Sequence, residues 1–205
     1  LASPRMIEEK LIAAGMSTIA GVDEAGRGAC AGPLVVAATI LKDLKSPTLT
    51  EVRDSKELTA HKREELFDLV ISESMSYAII EISPAEIDAI GLHKSNLEGM
   101  RRAIHALKTE PQYILTDGYR IDGLSAPSLA VWKGDQVAIT ISAASILAKV
   151  HRDRIMDKLD EQYPGYGFAA HKGYVTRSHE KSLSELGVSE VHRRSYANIA
   201  ALINS

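Results

Sequence analysis

Cysteine is almost absent: Cys30 is the only one in 205 residues. One thiol excludes an intramolecular disulfide and any multi-cysteine zinc site. A lone thiol also suits a reducing compartment, so cytoplasmic residence is the expectation. Long apolar runs are missing too. The longest, such as residues 34–38, fall far short of the ~20 residues of a membrane span. The first fourteen residues carry Arg5, Glu8, Glu9 and Lys10, which interrupt any signal-peptide core. The sequence also lacks positive charge in excess. Lys and Arg number 24 against 27 Asp and Glu, a net charge of −3. Domains that bind nucleic acid are usually basic, so whole-chain charge speaks against such a partner. What remains is ordinary: 45% hydrophobic and 25% charged, enough chain to bury about 70% of its unfolded surface as one domain.

Residues 6–14 space their apolar positions as an amphipathic helix ending at Gly15. Residues 19–23 and 34–41 are β-prone around a turn-rich segment, which predicts an antiparallel hairpin. Residues 42–56 are polar, contain Pro47 and read as a surface loop. A helix over 59–72 with Thr59 as N-cap follows. A third strand over 77–82, a short helix at Ser83-Pro84 and a longer one over 92–107 come next. Strands at 113–116 and 129–132 precede a long helix from about 136 to 162. Residues 163–174 are Gly- and Tyr-rich without regular periodicity, and helices near 176–186 and 195–203 close the chain. This order predicts an α/β fold with a mixed sheet.

Four acids fall at strand ends. Asp23 and Glu24 close the first strand, Asp117 the fourth, and Asp135 follows the fifth. Ligands of open α/β sheets collect outside the carboxyl ends of strands. Carboxylates converging there repel unless cations neutralise them, and an oxygen-only donor set suits Mg²⁺ or Mn²⁺. Two such ions roughly 4 Å apart clamp the attacking and leaving oxygens of a phosphodiester. Neighbours in a strand point to opposite faces, so Asp23 and Glu24 share a site only if the pleat ends between them. Each acid also has a plainer reading. Asp135 could be an N-cap, Asp117-Gly118 a turn, and Asp23-Glu24 a solvated strand end.

Gly26-Arg27-Gly28-Ala29-Cys30-Ala31 fits the loose G-x-G-x-x-[GA] dinucleotide fingerprint. That fingerprint requires a helix to begin there, whereas Gly32-Pro33 and a β-prone run follow. Two carboxylates just before it would also repel a pyrophosphate. The alternative is close backbone approach to a ligand, which glycine permits. A tight turn explains the glycines but not Arg27.

Together these residues resemble type II ribonuclease H (ribonuclease HII) over about residues 19–196. The likeness rests on Gly-Val-Asp-Glu-Ala-Gly-Arg-Gly at 21–28, Asp-Ser-Lys at 54–56 and Thr-Asp-Gly at 116–118. It continues through Lys-Gly-Asp at 133–135, Ser-Ala-Ala-Ser-Ile-Leu-Ala-Lys-Val at 142–150 and Arg-Asp-Arg at 152–154. Tyr-Pro-Gly-Tyr-Gly-Phe and His-Lys-Gly-Tyr between 163 and 174 complete it. Type III enzymes carry a lysine where Arg27 stands, and type I enzymes do not pair their first carboxylates. His151 and Ser142 depart from the family's commoner residues, at positions that are not metal ligands.

The resemblance implies a ribonuclease H-like fold with a mixed five-stranded sheet flanked by helices, plus a C-terminal helical extension. An N-terminal helical segment (1–18), a catalytic core (19–162) and a substrate-binding C-terminal part (163–205) would form one domain. It implies a monomeric endonuclease that hydrolyses the RNA strand of RNA–DNA hybrids. Such an enzyme also incises 5′ of single ribonucleotides in duplex DNA, using two Mn²⁺ or Mg²⁺ ions and leaving 3′-OH and 5′-phosphate ends. Asp23, Glu24, Asp117 and Asp135 match the metal-binding carboxylates. Gly26, Arg27 and Gly28 match the loop that senses the 2′-OH, and Tyr174 the tyrosine that packs on the next deoxyribose. Lys56, His171 and Lys172 are candidates for phosphate contact, against solvated loop positions. His151, His171, His179 and His192 lack zinc spacing. Asp153 reads as a helix-surface ion pair, Trp132 as core and Cys30 as an inert small residue. Two rival readings are a junction-binding protein without catalysis and a metal nuclease acting on DNA. Two bound divalent ions would take the net charge from −3 to about +1, so the local field matters more than the total.

Overall fold

The two leading apolar runs pair as the hairpin their turn requires. Strands β1 (Ile19–Ala25) and β2 (Leu34–Leu41) are antiparallel, and β3 (Ser74–Ile82) extends the sheet antiparallel to β2. Strands β4 (Tyr113–Asp117) and β5 (Ser128–Val131) add on the other side, each parallel to its neighbour. The order is β3-β2-β1-β4-β5, a mixed five-stranded sheet. The computed structural model describes residues 6–52 and 59–204, so Lys56 and its Asp-Ser-Lys segment lie outside the described residues.

Helices cover both faces, which is why β1 and β2 read as continuous apolar runs rather than alternating ones. Ile19, Ala25, Val35, Ala37 and Leu115 face one side, with α1 (Met6–Ala13), α2 (Ala60–Glu73) and α6 (Ile139–Gln162). Ala20, Val22, Val36, Ala38 and Ile114 face the other, with α3 (Pro84–Ile90) and α4 (Leu92–His105). Thr59 caps α2, accepting from Lys62 N at 3.2 Å, and Ser83 caps α3, accepting from Glu86 N at 3.1 Å. A third cluster (Cys30, Met156, Phe168, Leu183, Ile199) joins the C-terminal part to the glycine loop. That part holds α7 (Phe168–His171), α8 (Arg177–Leu186) and α9 (Ala197–Ile203).

Helix α6 lies unusually close to β1. A Cβ on Gly21 would sit 2.0 Å from the Thr140 carbonyl carbon. Glu8 of α1 fixes the start of α6 from the other side: its Oε1 accepts from Thr140 N at 3.0 Å and Thr140 Oγ1 at 2.9 Å. A carboxylate there complements the positive end of the helix dipole.

Several expectations need correction. Residues 42–52 are not merely a surface loop. They hold a 3-10 turn (Pro47–Glu51) anchored by buried Leu44, Leu49 and Val52, three apolar residues spaced too irregularly to signal an element. The long helix is interrupted near its expected start. Extended Ala138 separates the single turn α5 (Gly134–Val137) from α6. The segment 163–174 includes the short α7. No helix among the described residues is long and apolar enough to cross a membrane.

Candidate active site

Strands β1 and β4 run parallel side by side, so their carboxyl ends open on the same edge of the sheet. Strand β1 does not end between Asp23 and Glu24: Asp23 pairs with Ala37, Glu24 with Val36 and Ala25 with Val35. The expected break in the pleat is therefore absent. The two side chains leave opposite faces of the strand, yet both line one cavity at this edge of the sheet. Asp23 is on the α6 side, hydrogen-bonded to Ser145, and its Oδ1 also accepts from Glu24 N at 2.7 Å. Glu24 leaves on the side of Tyr119 and Asp135.

Asp117 ends β4, and its Oδ1 accepts from Gly134 N at 2.7 Å, drawing α5 towards the sheet. Left-handed Lys133 (φ 52°) is the N-cap residue of α5, so Asp135 is not. Asp135 sits in the first turn and is buried. Ser142 of α6 braces it, donating to the Asp135 carbonyl at 2.6 Å.

Two adjoining cavities collect these groups. One of about 220 Å³ is lined by Asp23, Glu24, Gly26, Arg27, Gly28, Asp117, Ser145, Lys149 and Tyr174. The other, about 380 Å³, is lined by Glu24, Asp117, Tyr119, Trp132, Lys133 and Asp135. Glu24 and Asp117 line both, Asp23 only the first and Asp135 only the second, so the four carboxylates are distributed over two neighbouring cavities. Burial, then the charges of Glu24 and Asp117, push the Asp23 carboxyl well above its ordinary range. A carboxylate held among others in this way favours a cation that relieves the repulsion. Among the described residues no three His, Cys, Asp or Glu side chains are already drawn to ligand spacing around one point. The donors that surround the opening are carboxylate oxygens, which fits a hard divalent ion rather than zinc.

Gly28 is exposed, and a Cβ there would meet Tyr174 Cε1 at an ordinary 3.7 Å. Tyr174 is held from behind. Ser189 N–H donates to His192 Nδ1 at 3.1 Å, which leaves the His192 proton on Nε2. That proton meets His179 Nε2 at 3.1 Å, so His179 Nδ1 donates to the Tyr174 carbonyl at 2.9 Å. Burial keeps both rings neutral, pushing His192 down to about 4.

His171 and Lys172 do not reach the carboxylates. His171 stacks on His179 and bonds the Tyr166 carbonyl at 2.8 Å. Lys172 is ion-paired with Asp157. Asp153 is in an ion pair as expected, but with Lys149 at 2.5 Å and Arg63 at 3.8 Å rather than with its neighbours. Cys30 is buried, and burial pushes its thiol pKa up, away from nucleophilic character. Trp132 is not core. It is 82% exposed at the end of edge strand β5, on the rim of the second cavity. Ser145, Lys149 and Arg152 were not singled out from the sequence. With Ser142 they form a polar stripe at spacings of 3, 4 and 3 that begins in the largely apolar first half of α6.

A ribonuclease HII family model matches residues 20–199. The chain is 52% identical over 200 residues to the ribonuclease HII of Rhodococcus opacus (strain B4), covering 98% of this chain and 88% of that protein. Its fold is similar to the ribonuclease H2 of Pyrococcus horikoshii OT3, with a TM-score of 0.79, 30% identity, and coverage of 91% and 97% of the two chains. At 18% identity, a Bst-RNase HIII crystallised in complex with Mn²⁺ shares the fold (TM-score 0.71, covering 91% of this chain and 69% of that one).

Proposed function

The chain belongs to the ribonuclease HII family, and from that premise we propose how its residues divide the work. The coarse activity follows from membership: it is a metal-dependent nuclease that acts on RNA–DNA hybrids. The finer reading is an endonuclease that also incises duplex DNA 5′ of a single embedded ribonucleotide, leaving 3′-OH and 5′-phosphate ends. It acts as a monomer in the cytoplasm. The observation that carries this reading is a pair of neighbouring cavities that share Glu24 and Asp117, one holding Asp23, the glycine loop and Tyr174 and the other Asp135.

Asp23, Glu24, Asp117 and Asp135 would hold two Mn²⁺ or Mg²⁺ ions when substrate is bound. Such ions make water nucleophilic and neutralise charge on a departing oxygen. The rest belongs to the protein. Ser145 and the Glu24 amide orient Asp23, and the Gly134 amide orients Asp117. The backbone of Gly26, Arg27 and Gly28 faces the 2′-OH, the group that separates RNA from DNA. Tyr174 packs on the deoxyribose that follows, so an RNA–DNA junction satisfies both contacts.

Incubation with a duplex containing one ribonucleotide, with Mn²⁺ or Mg²⁺, tests the proposal, and an uncut substrate under both ions sinks it. An all-DNA duplex separates it from a DNA nuclease, and binding without cutting would reveal a non-catalytic junction binder. Asp23→Asn or Asp135→Asn should cut at least about a hundredfold more slowly while remaining folded.

A further inference from the structure

The carbonyls of the glycine loop are turned inward onto two buried arginines. Arg193 Nη1 donates to Arg27 O at 3.2 Å, Arg193 Nε to Gly32 O at 3.0 Å, and Arg193 N to Cys30 O at 2.8 Å. Arg152 donates to Ala31 O at 3.1 Å and Pro33 O at 3.0 Å. Tyr196 Oη adds a second bond to Arg27 O at 2.6 Å and accepts from Arg193 Nη1 at 2.7 Å. Both guanidiniums are fully buried, and neither has a carboxylate within ion-pair distance among the described residues. Arg152 Nη1 and Arg193 Nη2 have no hydrogen-bond partner at all there. Buried cations without counter-ions are a poor way to gain stability. Their geometry points to another role.

No peptide bond among the described residues is cis. In a trans peptide the carbonyl and the following N–H point in opposite directions. With Arg27 O pulled beneath the loop, the Gly28 N–H of the same peptide must face the other way. Gly28 is exposed there and lines the cavity with Asp23, Glu24 and Tyr174. Its N–H has no acceptor among the described residues, whereas the N–H groups of Cys30 and Ala31 are spent on Gly173 O and that of Gly32 on Val191 O. One unspent donor is thus aimed into the opening by groups far along the chain.

We propose that Arg193 and Tyr196 are positioning residues for ribose recognition: by gripping the Arg27 carbonyl they aim the Gly28 N–H at a sugar hydroxyl oxygen beside Tyr174. This rests on the function proposed above and explains how a glycine-flanked loop keeps one orientation. Arg152 holds the far side of the loop, and its Cζ lies 5.5 Å from the Tyr174 ring centroid, linking both sugar contacts to one buried layer.

Tyr196→Phe is the decisive variant. It keeps the ring that lies beside Arg193, with Cζ 5.2 Å from its centroid, and removes only the hydroxyl. Its kcat/KM on a duplex with one ribonucleotide should fall about tenfold. Its affinity for an all-DNA duplex of the same sequence should stay at the wild-type value, because that duplex offers no 2′-OH. Arg193→Lys, which keeps the charge and loses the fork, should lower kcat/KM further. Without any substrate, the Gly28 amide resonance should shift in Tyr196→Phe. A variant that cuts like wild type, loses kcat/KM and all-DNA affinity in proportion, or leaves the Gly28 resonance unmoved overturns the proposal. A wild-type protein that leaves the ribonucleotide duplex uncut refutes the proposed function instead, and the amide measurement still decides the loop geometry.

Discussion

Gly21→Ala should be among the most damaging methyl additions available to this chain. The new Cβ would lie 2.0 Å from Thr140 C, 2.2 Å from Thr140 O and 2.4 Å from Ile141 N. All three are backbone atoms, so no side-chain rotation makes room. Ordinary contact begins near 3.4 Å, which forces α6 and β1 about 1.4 Å further apart. A gap of ~0.5–1 Å already forfeits a quarter to a half of each dispersion contact. The loss would spread along Ile141, Ala144 and Ala148 of α6 and Ala25, Val35 and Ala37 of the sheet. Overpacking a core usually costs ~1–3 kcal/mol, and the absence of any flexible neighbour places this substitution at about 3 kcal/mol or above. For a domain of this size, that lowers Tm by roughly 6–12 °C. Thermal unfolding followed by circular dichroism measures it. Gly118→Ala is the control: nothing lies within 4 Å, and only its positive φ of 68° resists a side chain, a strain of roughly 1–2 kcal/mol. If Gly21→Ala proves the milder of the two, close β1–α6 packing does not depend on Gly21. Folded Gly21→Ala should also cut poorly, because α6 carries Ser145, Lys149 and Arg152.

Burial and the neighbouring His179 hold His192 down at about 4, against its ordinary 6.5. The unfolded chain therefore binds a proton that the folded chain refuses, so this stability is complete above pH 6.5 and drains away towards pH 4, by about 3 kcal/mol in all. His192→Gln should flatten the acid limb of a stability–pH profile, and an unaltered limb would remove the histidine pair from the account. Trp132 is the only tryptophan in the chain and is 82% exposed on the rim of the carboxylate cavity. A ribonucleotide-containing duplex added to Asp135→Asn should quench its fluorescence. Trp132→Ala should raise KM about fivefold or more with little change in kcat, and a duplex that binds without touching the emission would place the nucleic acid elsewhere.

The sheet and its edge acids were legible because their signals are local. β1 and β2 are buried on both faces and so carry near-continuous apolar stretches at 19–22 and 34–38, and the caps Thr59 and Ser83 sit one residue before their helices. The acids at the ends of β1 and β4 stood out because charge follows directly on an apolar strand. What escaped was set by distant partners. Trp132 looks like a core residue by type, but β5 is an edge strand and none of the described residues folds over its end. Glu8 looks like an exposed acid on an amphipathic helix, yet it is buried against Thr140, more than a hundred residues away. By sequence Arg193 is one of five basic residues gathered after 170, with Lys172, Arg177, Lys181 and Arg194, against Glu180, Glu185 and Glu190. It is instead wholly interior, because its partners are loop carbonyls some 160 residues earlier.

That relocation also changes how the negative net charge bears on a nucleic-acid substrate. The surface charges largely cancel in pairs such as Arg154 with Glu64, Lys62 with Glu51 and Arg102 with Glu86. Exposed pairs of this kind are screened beyond about 10 Å in ordinary salt. Charges of opposite sign flank the glycine loop. Asp23 and its acidic neighbours repel one another across the opening, while Arg152 and Arg193 lie buried behind the glycine loop without carboxylate partners. Buried charges are screened far less than exposed ones. An approaching phosphodiester therefore meets a field set by two fixed cations and a carboxylate group that divalent ions would reverse. The C-terminal part contributes to that field through Arg193, buried behind the loop, as well as through exposed Arg177, Lys181 and Arg194. Its histidines hold Tyr174, and its Arg193 and Tyr196 hold the Arg27 carbonyl.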